Sequence, residues 1–278
     1  MKLFVLSDIH SYFEPMMRAL EANGFNRADK SHIVVICGDL FDRGPDAVKC
    51  FQFVQEMHKE HRLIYICGNH EDLLFDCVNE AAGGNGVSGH HITNGTLDTV
   101  AQFTELNRVD LINGWANQRK VITDMMPVLE FIGENTVDCA EVGDYIFVHG
   151  WIPVLVKDNL PMHYMQNRVF AFDPNWRDAP VEAWYQARWL NGMDMCRKYG
   201  RVPDKTVVVG HWHCSWGWSH INQERKEWPQ KNREDWRQSF EPFRGDGIIA
   251  IDSAVAYTEF CNCLVLDMPD GGEIRTIQ

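Results

Sequence analysis

No apolar run in this chain is long enough to cross a membrane. The opening Leu3–Leu6 stretch meets Ser7-Asp8 at once, too soon even for the core of a signal peptide. No Pro, Ser or Gln tract appears, and 45% of the 278 residues are hydrophobic against 23% charged. That balance excludes a wholly disordered chain and allows one large core. No CxxC pair occurs among the nine cysteines, whose number is odd and whose spacing is irregular. Several end apolar runs, as in Val34-Val35-Ile36-Cys37 and Ile64-Tyr65-Ile66-Cys67, and read as reduced, buried thiols of a cytoplasmic protein. Cys261-x-Cys263 alone is too little for a metal site. Positive charge is also scarce: 26 Lys and Arg stand against 39 Asp and Glu, a net charge of −13. A protein built to grip nucleic acid carries a basic face, so this balance argues against that partner. A phosphorylated substrate remains compatible, because bound metal cations override the mean surface charge.

What the chain does have is a series of short, β-branched runs, each ending in a polar cluster. Leu3–Leu6 precedes Asp8-Ile9-His10, and Ile33–Cys37 precedes Gly38-Asp39. Leu63–Cys67 precedes Gly68-Asn69-His70, Tyr145–Val148 precedes His149-Gly150, and Thr206–Val209 precedes Gly210-His211. Such runs predict strands buried on both faces. Phe13, Met16, Met17 and Leu20 predict a helix after the first strand, and Val48, Phe51, Phe53 and Val54 a second before the third. Strand, helix, strand is the βαβ pattern of an α/β sheet, whose sites form at the carboxyl ends of its strands. Helical patterns follow over Glu71–Val78 and Leu97–Leu111, with a Gly-rich stretch between them. Gly247–Ile251 and Cys263–Asp267 predict two closing strands. Blocks rich in Trp and Arg fill about 153–201 and 215–245. No repeat or linker divides the chain, so a single domain over 1–278 with cap-like insertions at those blocks is expected.

Each polar cluster has a bland explanation alone, since Asp8 would cap a turn and Gly-Asn commonly makes one. Five of them in order, each at a strand end, point instead to a dinuclear metal site. Carboxylate oxygens, imidazole nitrogens and an amide oxygen suit two divalent ions such as Mn, Fe or Zn. Asp8-x-His10 and His211-x-His213 would each present two side chains on one side of an extended strand. Asp39 would bridge the ions at roughly 4 Å separation. Two such ions activate a water, neutralise phosphoryl oxygens and align an in-line attack. The remaining needs are a proton donor and a cation, and His70 and Arg43 are those residue types.

This ordered set resembles the calcineurin-like metallophosphoesterase superfamily. Gly38-Asp39-Leu40-Phe41-Asp42-Arg43-Gly44-Pro45 and Gly68-Asn69-His70-Glu71 are most similar to its phosphoprotein phosphatase branch, which includes bacterial Ser/Thr protein phosphatases and diadenosine tetraphosphate hydrolases. Asn94-Gly95-Thr96 and Ile251-Asp252-Ser253-Ala254 extend the likeness weakly. The resemblance implies a four-layer α/β/β/α sandwich with mixed sheets and inserted cap segments. It implies a metallophosphatase that hydrolyses a phosphate ester or anhydride through a metal-bound hydroxide. Asp8, His10 and Asp39, with His213 in addition, would hold one metal; Asp39, Asn69, His149 and His211 would hold the other. His70 matches the family's general acid, Asp42 the carboxylate orienting it, and Arg43 a phosphate-binding arginine. The chain departs from that branch at Ser11, where Gly is common, at the extra His213, and at Ala254-Val255-Ala256.

A second phosphate-binding arginine is expected between the His149 and His211 motifs, and Arg177 and Arg188 both qualify. Trp176, Trp189, Trp212, Trp216 and Trp218 are expected to include walls of the pocket, where they would suit a flat leaving group such as a nucleobase. His32, His58, His61, His90, His91, His163 and His220 fall outside the motifs. A phosphoprotein, a dinucleoside polyphosphate and a small phosphoester are the substrates in competition. The reading from another class is a phosphodiesterase or nuclease acting on nucleic acid.

Overall fold

The structure, a computed structural model, describes residues 1–157, 169–269 and 272–278. His163 and part of the first Trp-rich block lie outside the described residues. The first half runs β1 (Lys2–Leu6), α1 (Phe13–Ala22), β2 (His32–Cys37), α2 (Ala47–Lys59), β3 (Leu63–Ile66) and α3 (Asn69–Gly83). It continues as α4 (Gly89–Asn94), α5 (Thr96–Thr104), α6 (Arg108–Asn113), α7 (Gln118–Asn135) and β4 (Thr136–Val137). The second half runs β5 (Cys139–Val142), β6 (Tyr145–Phe147), β7 (Val154–Val156), β8 (Phe170–Phe172), α8 (Val181–Ala187), α9 (Gly192–Tyr199) and β9 (Thr206–Val209). It closes with α10 (Cys214–His220), β10 (Phe243–Gly245), β11 (Ile248–Ala250), α11 (Val255–Thr258), β12 (Leu264–Asp267) and β13 (Ile274–Ile277).

Two mixed sheets result. One has the order β12-β1-β2-β3-β4, with β1 to β4 parallel and β12 antiparallel to β1. The other has the order β10-β11-β9-β6-β5-β13, parallel at β11-β9-β6. β7 and β8 form a separate antiparallel ribbon.

Period-two alternation explains the layering. Leu3, Val5, Val35 and Ile66 face Ala140, Phe147, Val208 and Ile249 of the other sheet, forming a core between the sheets. The intervening Phe4, Leu6, Val34 and Ile36 face outward and pack under α1, α2, α3, α5 and α7. Val207, Val209, Ile146 and Ala250 pack outward with residues of α8 and α9. Both strand faces are therefore apolar, and the order is helices, sheet, sheet, helices: the four-layer α/β/β/α sandwich that the resemblance implied.

The helical stretch expected over Leu97–Leu111 is broken. Glu105 turns left-handed at φ 55°, and the Asn107 side chain then caps α6 by accepting from the Val109 N–H. α7 had no counterpart among the expected elements. It holds Pro127 in its interior, yet buries Val121, Met125, Val128 and Ile132 along one face against α3. Packing of that stripe overrides proline's cost within a helix.

Candidate metal centre

The centre forms where β1, β2, β3, β6 and β9 all end, which is why residues far apart in the chain converge. Loop backbones are laced together across the sheet ends: the His10 N–H donates to the Asp39 carbonyl at 3.0 Å and the Gly210 N–H to the His149 carbonyl at 2.8 Å. Gly38 lies at φ 79°, and a Cβ there would strike the His149 ring; one at Gly68 would strike the Asp39 carboxylate. These glycines let the ligand-bearing loops approach. Asp8, His10, Asp39, Asp42, Arg43 and His211 all adopt positive φ, from 48° to 76°. Each such non-glycine residue costs about 1–3 kcal/mol and persists only where its surroundings over-determine it.

Among the described residues two groups able to hold a metal ion emerge, His10 with Asp39 and His70, and Asp39 with His149 and His211; within each, the donor atoms lie inside 4.8 Å of one another. Asp39 belongs to both. His149 donates from Nδ1 to the Cys37 carbonyl at 2.8 Å, leaving Nε2 at 2.9 Å from Asn69 Oδ1 and 3.2 Å from Asp39 Oδ1. His10 likewise donates from Nδ1 to the Phe41 carbonyl at 3.0 Å and turns Nε2 inward. Such backbone contacts fix the tautomer that leaves Nε2 free to ligate.

Neither x-spaced pair lies on an extended strand. β1 ends at Leu6 and β9 at Val209, so both pairs lie on left-handed turns, where side chains no longer alternate. Asp8 sits at the border of the second group, its carboxylate accepting the His211 N–H at 2.9 Å and the Ser7 hydroxyl at 2.5 Å. His213 joins neither group. It precedes α10, shares a 2.7 Å hydrogen bond with Ser215 Oγ through Nδ1, and lies against Trp228 with ring centroids 4.2 Å apart.

Asp42 holds His70 Nδ1 at 2.6 Å. Its two oxygens also accept from Thr96 and Thr99 hydroxyls at 2.8 and 2.7 Å. Arg43 spans the two imidazoles, with Nη1 2.6 Å from His10 Nε2 and Nη2 3.0 Å from His70 Nε2. The two further arginines are engaged elsewhere. Arg177 makes a bidentate pair with Glu141 at 2.6 and 2.9 Å, stacked 4.2 Å over Trp176. Arg188 lies between Asp72, at 2.6 Å, and Asp138, at 2.5 Å.

The sequence drew attention to Glu71 only as part of a motif. In the structure its buried carboxylate accepts the N–H groups of Gly68, Asp39 and Leu40 and the Tyr65 hydroxyl, at 2.7 to 2.9 Å. It thereby ties the β2 and β3 loops together. Thr99 carried no sequence signal at all, and Thr96 and Asp252 only the weak extension of the resemblance.

Burial and crowding dominate the electrostatics. Burial, then the Asp252 and Asp39 charges, push Asp8 well above the usual carboxylate range, and burial lifts Asp252 to about 6. Burial would raise Asp39 too, but His149 and His70 outweigh it and hold that carboxyl well below its ordinary value. Burial opposes a charge on His149, yet Asp39 raises its pKa to about 10. His70 is also raised, against burial, by Asp39 and Asp42. Burial depresses His10, with Arg43 adding to it, and takes His211 down to about 3. Asp8, Asp39 and Asp252 are thus buried together with the ring nitrogens of His10, His149 and His211. That donor set fits divalent cations.

Of the five tryptophans among which pocket walls were expected, Trp176 is core, buried edge-on against Trp184. Trp218 packs on Phe243 under Arg225. Trp189, Trp212 and Trp216 line a cavity of about 380 Å³. Among the described residues no helix is long and apolar enough to cross a membrane.

The chain is 30% identical over 112 residues to a bis(5'-nucleosyl)-tetraphosphatase (asymmetrical) of Bacillus velezensis, covering 38% of this chain and 42% of that protein. It is 28% identical over 145 residues to the Bacillus subtilis protein of the same description, covering 50% and 56%. A symmetrical bis(5'-nucleosyl)-tetraphosphatase of Buchnera aphidicola is 35% identical over 71 residues, covering 26% and 24%. In each case the match spans between 24% and 56% of the relative. The profile described as calcineurin-like phosphoesterase matches residues 1–215, a span that takes in every element of the centre up to His213, and the chain belongs to that family.

Proposed function

We propose that this chain is a metal-dependent phosphoester hydrolase that acts on the phosphate ester or anhydride bond of a nucleoside polyphosphate, with two divalent ions, Mn, Fe or Zn, at the sheet ends. The observation that carries it is the pair of donor groups sharing Asp39, the first of which includes His70, with Arg43 against His10 and His70. Asp8, His10 and Asp39 would hold one ion, and Asp39, Asn69, His149 and His211 the other. His213 is left out of the set, since its partners lie elsewhere. When bound, the ions supply Lewis acidity toward water and the phosphoryl oxygens.

The protein's own residues do the rest. Arg43 gives its guanidinium to the non-bridging phosphoryl oxygens, exchanging its present contacts with the two imidazoles for charge-assisted ones. His70 protonates the leaving oxygen. Asp42 keeps one proton on Nδ1 and, with Asp39, holds the pKa up so that the ring remains a proton donor near neutral pH. Glu71 holds the loops that aim Asp39 and His70. Arg188, fixed by two carboxylates, orients its own loop rather than meeting phosphate.

The tetraphosphatase relatives favour a dinucleoside polyphosphate over a phosphoprotein or small phosphoester, and the acidic surface speaks against nucleic acid. Irregularly spaced cysteines support a reducing, cytoplasmic setting. The test is hydrolysis of a panel by protein reconstituted with Mn²⁺, Fe²⁺ or Zn²⁺: aryl phosphate, phosphopeptide, diadenosine tetraphosphate and bis-aryl phosphate. Cleavage led by the tetraphosphate supports the reading. No phosphate release from any of them, with metal verified in the protein, defeats it, and nicking of a plasmid with Mn²⁺ would favour the nuclease reading.

A further inference from the structure

Phosphate chemistry accounts for the sheet ends but not for the aromatic cavity next to them. Trp189, just beyond α8, meets the His211 ring nearly edge-on at 6.0 Å. The cavity therefore begins where the second donor group ends. Trp212 follows His211 directly, and its ring meets Trp216 of α10 at 6.4 Å and 76°. Phe170 and Tyr199, 6.2 Å apart and also edge-on, close the far side. Trp189, Trp212 and Trp216 are all only partly buried, in contrast to Trp176, and His220 stacks on one face of Trp216 at 4.8 Å, leaving the other. At the rim, Arg197 and Lys198 share one carboxylate, Asp194, at 2.7 and 2.6 Å, leaving a net positive mouth.

Size and lining together select an occupant. About 380 Å³ lies at the small end of ligand cavities, which run from about 300 to 1,000 Å³. It suits one nucleoside better than an extended peptide. Indole faces stack on any base, and a positive rim favours a ligand that carries phosphate.

We propose that this cavity is a nucleobase subsite: it takes one terminal base of the substrate against the edge-on pair of Trp212 and Trp216, with Trp189 between that base and the reacting phosphate. The subsite rests on the phosphohydrolase reading for its biological use, but not for its ability to bind a nucleoside. It makes Trp212 and Trp216 specificity-determining residues, which select nucleotide-terminated substrates over phosphates that carry no base.

The experiment has two arms. In the first, adenosine, which has no phosphate, is titrated into metal-free protein and followed by saturation-transfer NMR and tryptophan fluorescence. Binding is expected in the wild type, lost in Trp212→Ala and Trp216→Ala, and largely restored in Trp216→Phe. In the second, kcat/KM is measured on metal-loaded protein for diadenosine tetraphosphate and for glycerol phosphate. The ratio of the two is expected to fall roughly 10- to 100-fold in each alanine variant, the size of one lost stacking contact. Equal losses on both substrates, or failure of the wild type to bind adenosine, would overturn the subsite. Absence of turnover on every substrate would sink the phosphohydrolase reading alone, and the adenosine titration would still decide the subsite.

Discussion

Asp42 and His70 are locked to one another: carboxylate Oδ2 and imidazole Nδ1 stand 2.6 Å apart, and both side chains are almost wholly shielded from solvent. The hydroxyls of Thr96 and Thr99 donate to Oδ2 and Oδ1 of the same carboxylate. Neither ring nor carboxylate can rotate without breaking a buried hydrogen bond, so the Nε2 edge of His70 is aimed permanently beside Arg43. A dyad fixed in this way costs little reorganisation when it delivers a proton.

His70→Ala should slow turnover by ~10²–10⁴-fold while metal content stays near the wild-type value, and the loss should be largest for alkyl leaving groups. Asp42→Asn should lose part of the same effect, and the double variant should be no slower than His70→Ala, because the two act as a unit. Steady-state kinetics on aryl and alkyl phosphates checks this. Additive losses in the double variant would separate the pair.

Metal stoichiometry should follow the sharing of Asp39. Asp39→Asn should lose both ions, His149→Ala chiefly one, and His213→Ala neither. Elemental analysis after reconstitution and desalting reads this directly. Loss of an ion in His213→Ala would put that histidine back among the ligands.

Glu71→Ala leaves three main-chain N–H groups and a tyrosine hydroxyl without their buried acceptor. At about 1–3 kcal/mol for each group left unsatisfied, the variant should lose at least about 4 kcal/mol in urea unfolding. Its metal affinity should fall as well, although Glu71 lies outside both donor groups. A variant with wild-type stability would mean that water replaces the carboxylate.

The Arg177–Glu141 pair gives a pH signature. The hydrogen bond from Arg177 draws the Glu141 pKa below its ordinary 4.5. The stabilisation it brings is therefore present above that value and is lost as pH falls through the lower, folded one. Arg177→Ala should cost about 1 kcal/mol at pH 7, with the difference from wild type shrinking as pH drops from about 5 toward 3. Denaturant unfolding across that range tests it, and a pH-independent difference would assign the loss to stacking on Trp176 instead.

Most of the sandwich could be read in the chain itself, because its strands are buried on both faces. A residue run such as Ile33–Cys37 has to be apolar at every position when one face meets a second sheet and the other meets helices, and that continuity is visible without coordinates. α7 was hidden by Pro127, whose local cost is outweighed only once α3 is in place. The break at Glu105 depends on a single left-handed residue that no pattern announces.

The chain alone determined which donor atoms gather, since Asp8, His10, Asp39, Asn69, His70, His149 and His211 each follow a strand, and parallel strands bring their ends together. Tertiary structure decided which way those donors face. Left-handed turns after β1 and β9 replace the alternation of an extended strand, so His213 turns toward Ser215 and Trp228, while Asp8 grips the His211 backbone. It also decided the fate of the arginines and tryptophans. Arg188 and Trp176 were satisfied by Asp72, Asp138 and Trp184, whose closeness in space no local spacing encodes, because contact between distant segments is set by packing rather than by sequence order.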